Sequence, residues 1–146
     1  MFILVQTFLP FKGKDPVIVG TSTAGVHFPE QLMVGHSSYI VSKLAINKLI
    51  QLLAVEHPDI HVVSIHPGVI ETQMFHKAEV EGLTFDTIQL SAHFTLWASS
   101  PEARFANGRF LWCNWDVDEL KTNAQKIEDS GDLFKLTFGG WPYAQL

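Results

Sequence analysis

The chain has 146 residues, of which 47% are hydrophobic and 17% charged, and its formal net charge is −5. This balance excludes a disordered segment, which needs low hydrophobicity and high charge, and the lack of any Lys/Arg cluster argues against a nucleic-acid partner. The length is typical of one domain, so we predict a single domain over residues 1–146, in which 129–146 form a loose tail.

Apolar runs separated by turn-forming residues predict alternating helices and strands. In chain order we expect a buried helix at 2–9, a buried strand at 16–20, a helix at 39–56, a strand at 60–65, a helix at 85–98, a strand at 109–113 and a helix at 116–127. Ser37 or Ser38 is expected to cap the helix at 39–56, Thr84 the next helix and Asp116 the last. Strands that alternate with such helices predict a parallel α/β sheet.

Tyr39 and Lys43 stand four residues apart at the start of the long predicted helix, so their side chains share one face. A free phenol has a pKa of about 10, too high for ready proton exchange near neutrality. A nearby ammonium and a helix N-terminus favour the phenolate, which makes Tyr39 a candidate general acid or base for an alcohol or carbonyl oxygen. Ser22, by its place after the first predicted strand, could hold that oxygen. Alone, this spacing is more typical of a solvated tyrosine and lysine on an exposed helix turn.

The segments around this pair are more specific. They are VGTSTAG at 19–25, SYIVSK at 38–43 and HPGVIET at 66–72. In this order they resemble the short-chain dehydrogenase/reductase family, and GRFLWCNWDVDEL at 108–120 is similar to fungal members linked to secondary metabolism. The resemblance covers only the second half of the family's domain. It implies an α/β fold with a partial Rossmann-like, doubly wound parallel sheet of about three strands, and with the N-terminal half of the fold missing.

The resemblance also implies the catalytic residues. Tyr39 would exchange a proton with a small-molecule alcohol or carbonyl substrate, Lys43 would assist it, and Ser22 would orient the substrate oxygen. Thr23 is an alternative to Ser22, because the loop to Tyr39 is longer than the family's usual spacing. The segment 74–82 lies where the family has a mobile substrate lid.

The implied cofactor is NADP or NAD, with NADP slightly favoured. Tyr39 and Lys43 would contact it at the nicotinamide ribose. The residues that would contact or shape the nicotinamide site after the second strand are Pro67, Gly68, Ile70 and Thr72. In that group the proline fixes φ and the glycine allows close backbone approach.

Some of the family's features are not in this sequence. There is no Gly-rich turn between a first strand and a helix and no Asn-Asn-Ala-Gly stretch, so we expect a chain that lacks the first half of the fold and leaves its first strand at an open sheet edge. Two hypotheses follow. The chain is an NAD(P)-dependent oxidoreductase, or it is an inactive remnant that binds a partner through helix 39–56 or the open edge. That apolar helix also predicts a homo-oligomer or dependence on a partner.

Other functions and locations are disfavoured. The seven histidines show no His-x-x-x-His pair beside a carboxylate, so no metal site is predicted. The absence of a Gly-x-Ser-x-Gly elbow argues against a hydrolase. The single Cys113 predicts a buried thiol in a reducing compartment, and the apolar run at 1–11 is too short to span a bilayer. We therefore expect a cytoplasmic protein without a membrane partner.

Overall fold

Three parallel strands form the sheet of the computed structural model, which describes residues 1–77 and 82–137. The strands are β1 (Val17–Thr21), β2 (His61–His66) and β3 (Phe110–Trp112), and β2 lies in the middle. The register runs from Val17 opposite His61 to Thr21 opposite Ile65, and then from Ser64 opposite Phe110 to His66 opposite Trp112. The predicted partial, parallel α/β sheet of about three strands is confirmed.

Helices alternate with these strands in the predicted order. They are α1 (Phe2–Phe8), α2 (Ser37–Glu56), α3 (Gln73–Lys77), α4 (Ile88–Ala98), α5 (Val117–Thr122) and α6 (Ala124–Asp129). Short 3₁₀ helices at Leu9–Phe11, Ala24–His27, Glu30–Met33 and Pro101–Ala106 lie in the connections.

The sheet has an apolar core on each face, because alternate residues of a strand point in opposite directions. On one face Val62 packs with Ile50 and Leu53 of α2 and with Val5 of α1. The other face holds a larger cluster around Val63, Ile65, Phe94, Leu111, Leu120 and Ile127. The layers are therefore α1 and α2 on one side and α4 to α6 on the other.

Helix α2 lies close against β1 because Gly20 has no side chain. A Cβ built at Gly20 would lie 2.9 Å from Cγ2 of Ile46 and 3.4 Å from Cγ1 of Ile50. By length and composition α2 is apolar enough to cross a membrane, a property that the core helices of soluble proteins share. Ile50 and Leu53 of this helix are buried against the sheet.

Two segments are less buried than expected. In α1 only Val5 is buried, whereas Phe2, Ile3 and Leu4 are 60%, 76% and 70% exposed, because one face of this short helix meets the rest of the described chain. In β1, Val17–Val19 are half-buried, since β1 is at the sheet edge and, within the described ranges, pairs only with β2.

Three helix boundaries differ from the predictions. Ser37 and Ser38 lie inside the first turn of α2, and the carbonyl of His36 accepts the first helical hydrogen bond from the amide of Ile40 at 3.0 Å. Thr87, rather than Thr84, caps α4 by accepting from the amide of Leu90. Asp116 does cap α5, as predicted. The final helix is broken at Asn123 into α5 and α6.

The described part of the predicted loose tail contacts β3. The amide of Phe110 donates to the carbonyl of Phe134 at 2.8 Å. The buried guanidinium of Arg109 donates to the carbonyls of Ile127, Glu128 and Ser130. Residues 138–146 of that predicted tail lie outside the described residues.

Candidate active site

The ends of the three strands meet at one edge of the sheet, where the candidate residues follow them. The amide of Ser22 donates to the carbonyl of Ile65 at 2.7 Å, and that of Cys113 to the carbonyl of His66 at 3.0 Å. Because parallel strands end at the same edge, the loops that begin at Ser22, Pro67 and Cys113 are neighbours. This is where α/β sheets bind ligands.

Tyr39 and Lys43 are adjacent on the first turns of α2. The Lys43 ammonium lies over the tyrosine ring, with Nζ 5.6 Å from the ring centroid. Nζ also donates to the carbonyl of Thr21, at the end of β1, at 3.0 Å. Both side chains are half-buried, and burial lowers the pKa of Lys43. The arrangement places a positive charge beside the tyrosine ring.

The two candidate hydroxyls after β1 have different surroundings. Ser22 is 1% exposed, and its Oγ donates to the carbonyl of Lys43 at 3.4 Å, so its side chain lies against α2 near the Tyr39–Lys43 turn. Thr23 Oγ1 accepts from the amide of Gly25 at 3.3 Å and caps the 3₁₀ helix Ala24–His27. The threonine hydroxyl thus closes a local turn, whereas the serine hydroxyl joins two elements.

The Pro67–Gly68 bend follows β2 and is held by Asp86. Gly68 has a φ of 85°, and a Cβ built there would lie 2.6 Å from Oδ2 of Asp86. The same Oδ2 accepts from the amide of Val69 at 2.8 Å, and the Asp86 amide donates to the Val69 carbonyl at 2.8 Å. Asn114 Nδ2 donates to Oδ1 of Asp86, also at 2.8 Å. Asp86 therefore joins the segments that follow β2 and β3.

Ile70 and Thr72 continue from this bend toward α3. Ile70 is half-buried and Thr72 is exposed. Thr72 Oγ1 accepts from the amide of Phe75 at 3.2 Å, so this hydroxyl starts α3. Of the predicted lid at 74–82, residues 74–77 belong to α3, Gly82 has a φ of 78°, and 78–81 lie outside the described residues.

Aromatic rings line the same edge beside the bend. Trp112 stacks on Trp115 with 4° between the ring planes and 6.1 Å between the centroids. His66 and Phe28 meet the Trp112 ring edge-on at 5.2 and 6.5 Å. Burial lowers the pKa of His66, and its Nδ1 is buried without a hydrogen-bond partner among the described residues.

No sequence pattern points to a role for Asp86 at this site. Its position at the start of the predicted helix at 85–98 suggests only a helix-terminal acid, because its bonding partners lie 17 and 28 residues away.

A cleft of about 630 Å³ lies beyond β3, between Trp115, Asn123, Leu133 and Phe134. Within the described ranges no group of three His, Cys, Asp or Glu side chains has the geometry of a metal site.

Comparisons with known proteins place this chain in a family. The family model described as short chain dehydrogenase matches residues 1–81. A short chain dehydrogenase/reductase of Claviceps purpurea is 36% identical over 141 residues, which are 93% of this chain and 47% of the relative. Another, from Aspergillus aculeatus, is 33% identical over 142 residues, 94% of this chain and 48% of the relative. The chain thus spans about half the length of these fungal relatives.

A solved structure shows the same fold. The NADPH-bound carbonyl reductase from chicken fatty liver matches with a TM-score of 0.52 and 24% identity, over 66% of this chain and 40% of that protein. The sheet is therefore a portion of a Rossmann-like fold, as the resemblance implies. The family match over residues 1–81 shows that the chain belongs to the short chain dehydrogenase family.

Proposed function

We propose that this chain carries the proton-transfer residues and the nicotinamide-contacting loop of an NAD(P)-dependent oxidoreductase that interconverts an alcohol and a carbonyl. The observation that carries the proposal is the Lys43 ammonium, which lies 5.6 Å from the Tyr39 ring centroid at the ligand-binding edge of the sheet. A phenol next to a fixed positive charge is suited to trade a proton near neutral pH.

The residues present fit the nicotinamide end of such a cofactor. The Gly68 bend has a φ of 85° and carries no side chain, and Ile70 and Thr72 follow it toward α3. Lys43 provides a cation beside this edge for ribose hydroxyls. The nicotinamide ring, when bound, supplies or accepts the hydride. NADP and NAD remain alternatives, because the chain contains no Gly-rich phosphate turn.

In the reducing direction Tyr39 donates its phenolic proton to the carbonyl oxygen, whose carbon receives the hydride. In the oxidising direction the phenolate takes the hydroxyl proton from the alcohol. Lys43 stabilises the phenolate in both directions, and Ser22 holds the substrate oxygen through its hydroxyl. These roles indicate that the substrate is an alcohol or carbonyl compound of low molecular weight. The fungal relatives support a place for this reaction in secondary metabolism.

A second candidate is a partner-binding module without catalysis. Its support is the apolar surface that the described residues leave open: Val41, Leu52 and Val55 of α2 are 62%, 48% and 81% exposed, and β1 has an unpaired edge.

Titration of the purified chain with NADPH and NADH, followed by nicotinamide fluorescence, separates the two candidates. An oxidoreductase binds at least one of them below millimolar concentration, and a partner-binding module binds neither. Where carbonyl reduction is detected, Tyr39→Phe should abolish it while the circular dichroism spectrum and the cofactor affinity stay within about twofold of the parent. Turnover that survives this substitution would remove Tyr39 from the proposed role.

A further inference from the structure

We propose that Asp86 is a positioning residue for the nicotinamide, because it fixes the bend through which Ile70 and Thr72 reach the cofactor. This inference rests on the proposed function. It assigns a role to a side chain outside the three motifs by which the family was identified.

Both carboxylate oxygens and the backbone amide of Asp86 form hydrogen bonds at this site. Each carboxylate oxygen accepts one hydrogen bond, from the Val69 amide and from Asn114 Nδ2, and the Asp86 amide donates to the Val69 carbonyl. All three donor–acceptor distances are 2.8 Å, at the short end of the range for N–H···O hydrogen bonds. The Val69–Asp86 pair therefore joins the residue that precedes Ile70 to the segment that leads into α4.

Apolar packing is limited among the described residues of this excursion, where the rings of Phe75 and Phe85 meet edge-on with centroids 5.0 Å apart. Glu71, Thr72 and Met74 are exposed on one side of the excursion, and Leu83 and Phe85 are 46% and 41% exposed on the other. The described residues of this excursion bury little surface, so few apolar contacts fix its position. Two hydrogen bonds between Asp86 and Val69 hold the bend, and a third links Asp86 to Asn114.

Gly68 shows that the fit is close. A Cβ at Gly68 would lie 2.6 Å from Oδ2 and 3.0 Å from Cγ of Asp86. The carboxylate occupies the space beside the bend where any other residue would project its side chain. The Asp86 carboxylate can therefore lie this close to the bend only because residue 68 is a glycine.

A charge swap tests the role in the full chain. In Asp86→Asn the new amide can accept from Val69 or from Asn114 but not from both, because one oxygen has become a donor. The double variant Asp86→Asn with Asn114→Asp restores both bonds, since the amide of residue 86 then donates to the carboxylate of residue 114. Asp59→Asn is the matched control, because it neutralises a surface carboxylate that contacts only Lys12 among the described residues.

The readouts are the dissociation constants of NADPH and of reduced nicotinamide mononucleotide, and the hydrogen-exchange rate of the Val69 amide. We expect Asp86→Asn to weaken both ligands by a similar factor, on the order of tenfold, and to speed Val69 exchange. The double variant should recover most of both losses, and Asp59→Asn should change neither. A purely structural role would lower the urea midpoint and leave ligand affinity unchanged once folded protein is counted.

The outcomes separate this inference from the function it rests on. If the parent chain binds neither ligand, the proposed function fails and the positioning role falls with it, whatever Val69 exchange shows. If the parent binds and Asp86→Asn binds equally well, the proposed function stands and the role of Asp86 is overturned. Failure of the double variant to recover affinity also counts against it.

Discussion

The Lys43 ammonium bridges Tyr39 and Thr21. Its Nζ lies 5.6 Å from the centroid of the Tyr39 ring and donates to the Thr21 carbonyl at 3.0 Å. One side chain thus places positive charge beside the phenol and ties the first turns of α2 to the end of β1. The cation is held in place by a neutral carbonyl, so its charge is not cancelled by a carboxylate at that bond.

Replacing Lys43 by Met should remove this charge while keeping most of the side-chain volume. We expect turnover, where it is detected, to fall by about 10²-fold or more at neutral pH, because the phenolate loses its stabilising charge. Stopped-flow assays of carbonyl reduction across pH 6 to 10 measure the loss. Lys48→Met, on an exposed position of the same helix, is the control and should retain parent activity. Equal activity of both variants would contradict the assignment.

Ser22 and Thr23 can be distinguished by their hydrogen bonds. Ser22→Ala should lower turnover by about 10²-fold with little change in cofactor affinity, because the hydroxyl would contact the substrate oxygen. Thr23→Ala loses the cap at Gly25 and should cost stability, about 1 kcal/mol, with turnover per folded molecule preserved. Steady-state kinetics measure the turnover of each variant, and urea unfolding measures its stability. Together they show which of the two hydroxyls orients the substrate oxygen. The reverse pattern would make Thr23 the orienting hydroxyl.

Gly68 and Gly35 provide a matched pair for the bend. Both have a positive φ, 85° and 84°, but only at Gly68 would a Cβ meet other atoms, those of Asp86. We expect Gly35→Ala to lower the free energy of unfolding by about 1–2 kcal/mol through backbone strain. Gly68→Ala should lower it by about 1–3 kcal/mol more, because the carboxylate must move. Denaturant unfolding of both proteins measures the difference, and equal losses would mean that the Asp86 contact is easily relieved.

The buried histidines predict that stability falls in mild acid. Burial lowers the pKa of His61 and of His66 below the ordinary value of 6.5. His61 Nε2 donates to the carbonyl of Ala98 at 2.9 Å. The unfolded chain therefore binds more protons than the folded chain below about pH 6.5, and the stability present above that pH is lost as the pH falls.

Urea unfolding at pH 7.5 and pH 5.5 checks this sign. The free energy of unfolding should be lower at pH 5.5, and His61→Gln should reduce the difference between the two pH values even though it destabilises the chain at both. His93→Gln, at an exposed position of α4, serves as control and should leave the difference as it is in the parent. A parent chain that is more stable at pH 5.5 than at pH 7.5 would be inconsistent with neutral buried rings.

The exposed face of α2 predicts self-association. Val41 and Val55 are 62% and 81% exposed on this helix, and the predicted homo-oligomer would bury them. Val41→Lys combined with Val55→Lys should shift the chain toward monomer in sedimentation-velocity experiments. The control replaces Ile88 and Leu96, which are 66% and 72% exposed on α4, by Lys. A protein concentration of about 100 μM is on the order of the dissociation constant of a weak dimer. A parent chain that is monomeric at this concentration would argue against an oligomer through α2.

The local pattern of the sequence predicted the order of the elements well. Strands at 16–20, 60–65 and 109–113 were expected and β1, β2 and β3 begin and end within two residues of them. The extent of burial was predicted less well: the apolar residues Phe2–Leu4 indicate a buried helix, yet they are exposed. The hydrophobicity of a residue indicates whether its burial is favourable, whereas its actual exposure depends on which other elements pack over it.

What the sequence determines by itself is therefore what a regular period or a short motif can encode. Four residues along a helix bring Lys43 beside Tyr39 wherever the helix lies, and the order of strands and helices implies a parallel sheet. Only the tertiary structure decides that Asp86 holds the Pro67–Gly68 bend, that Ser22 rather than Thr23 faces α2, and that β1 is half-buried. Those features depend on contacts between residues far apart in the chain, and no local spacing specifies such contacts.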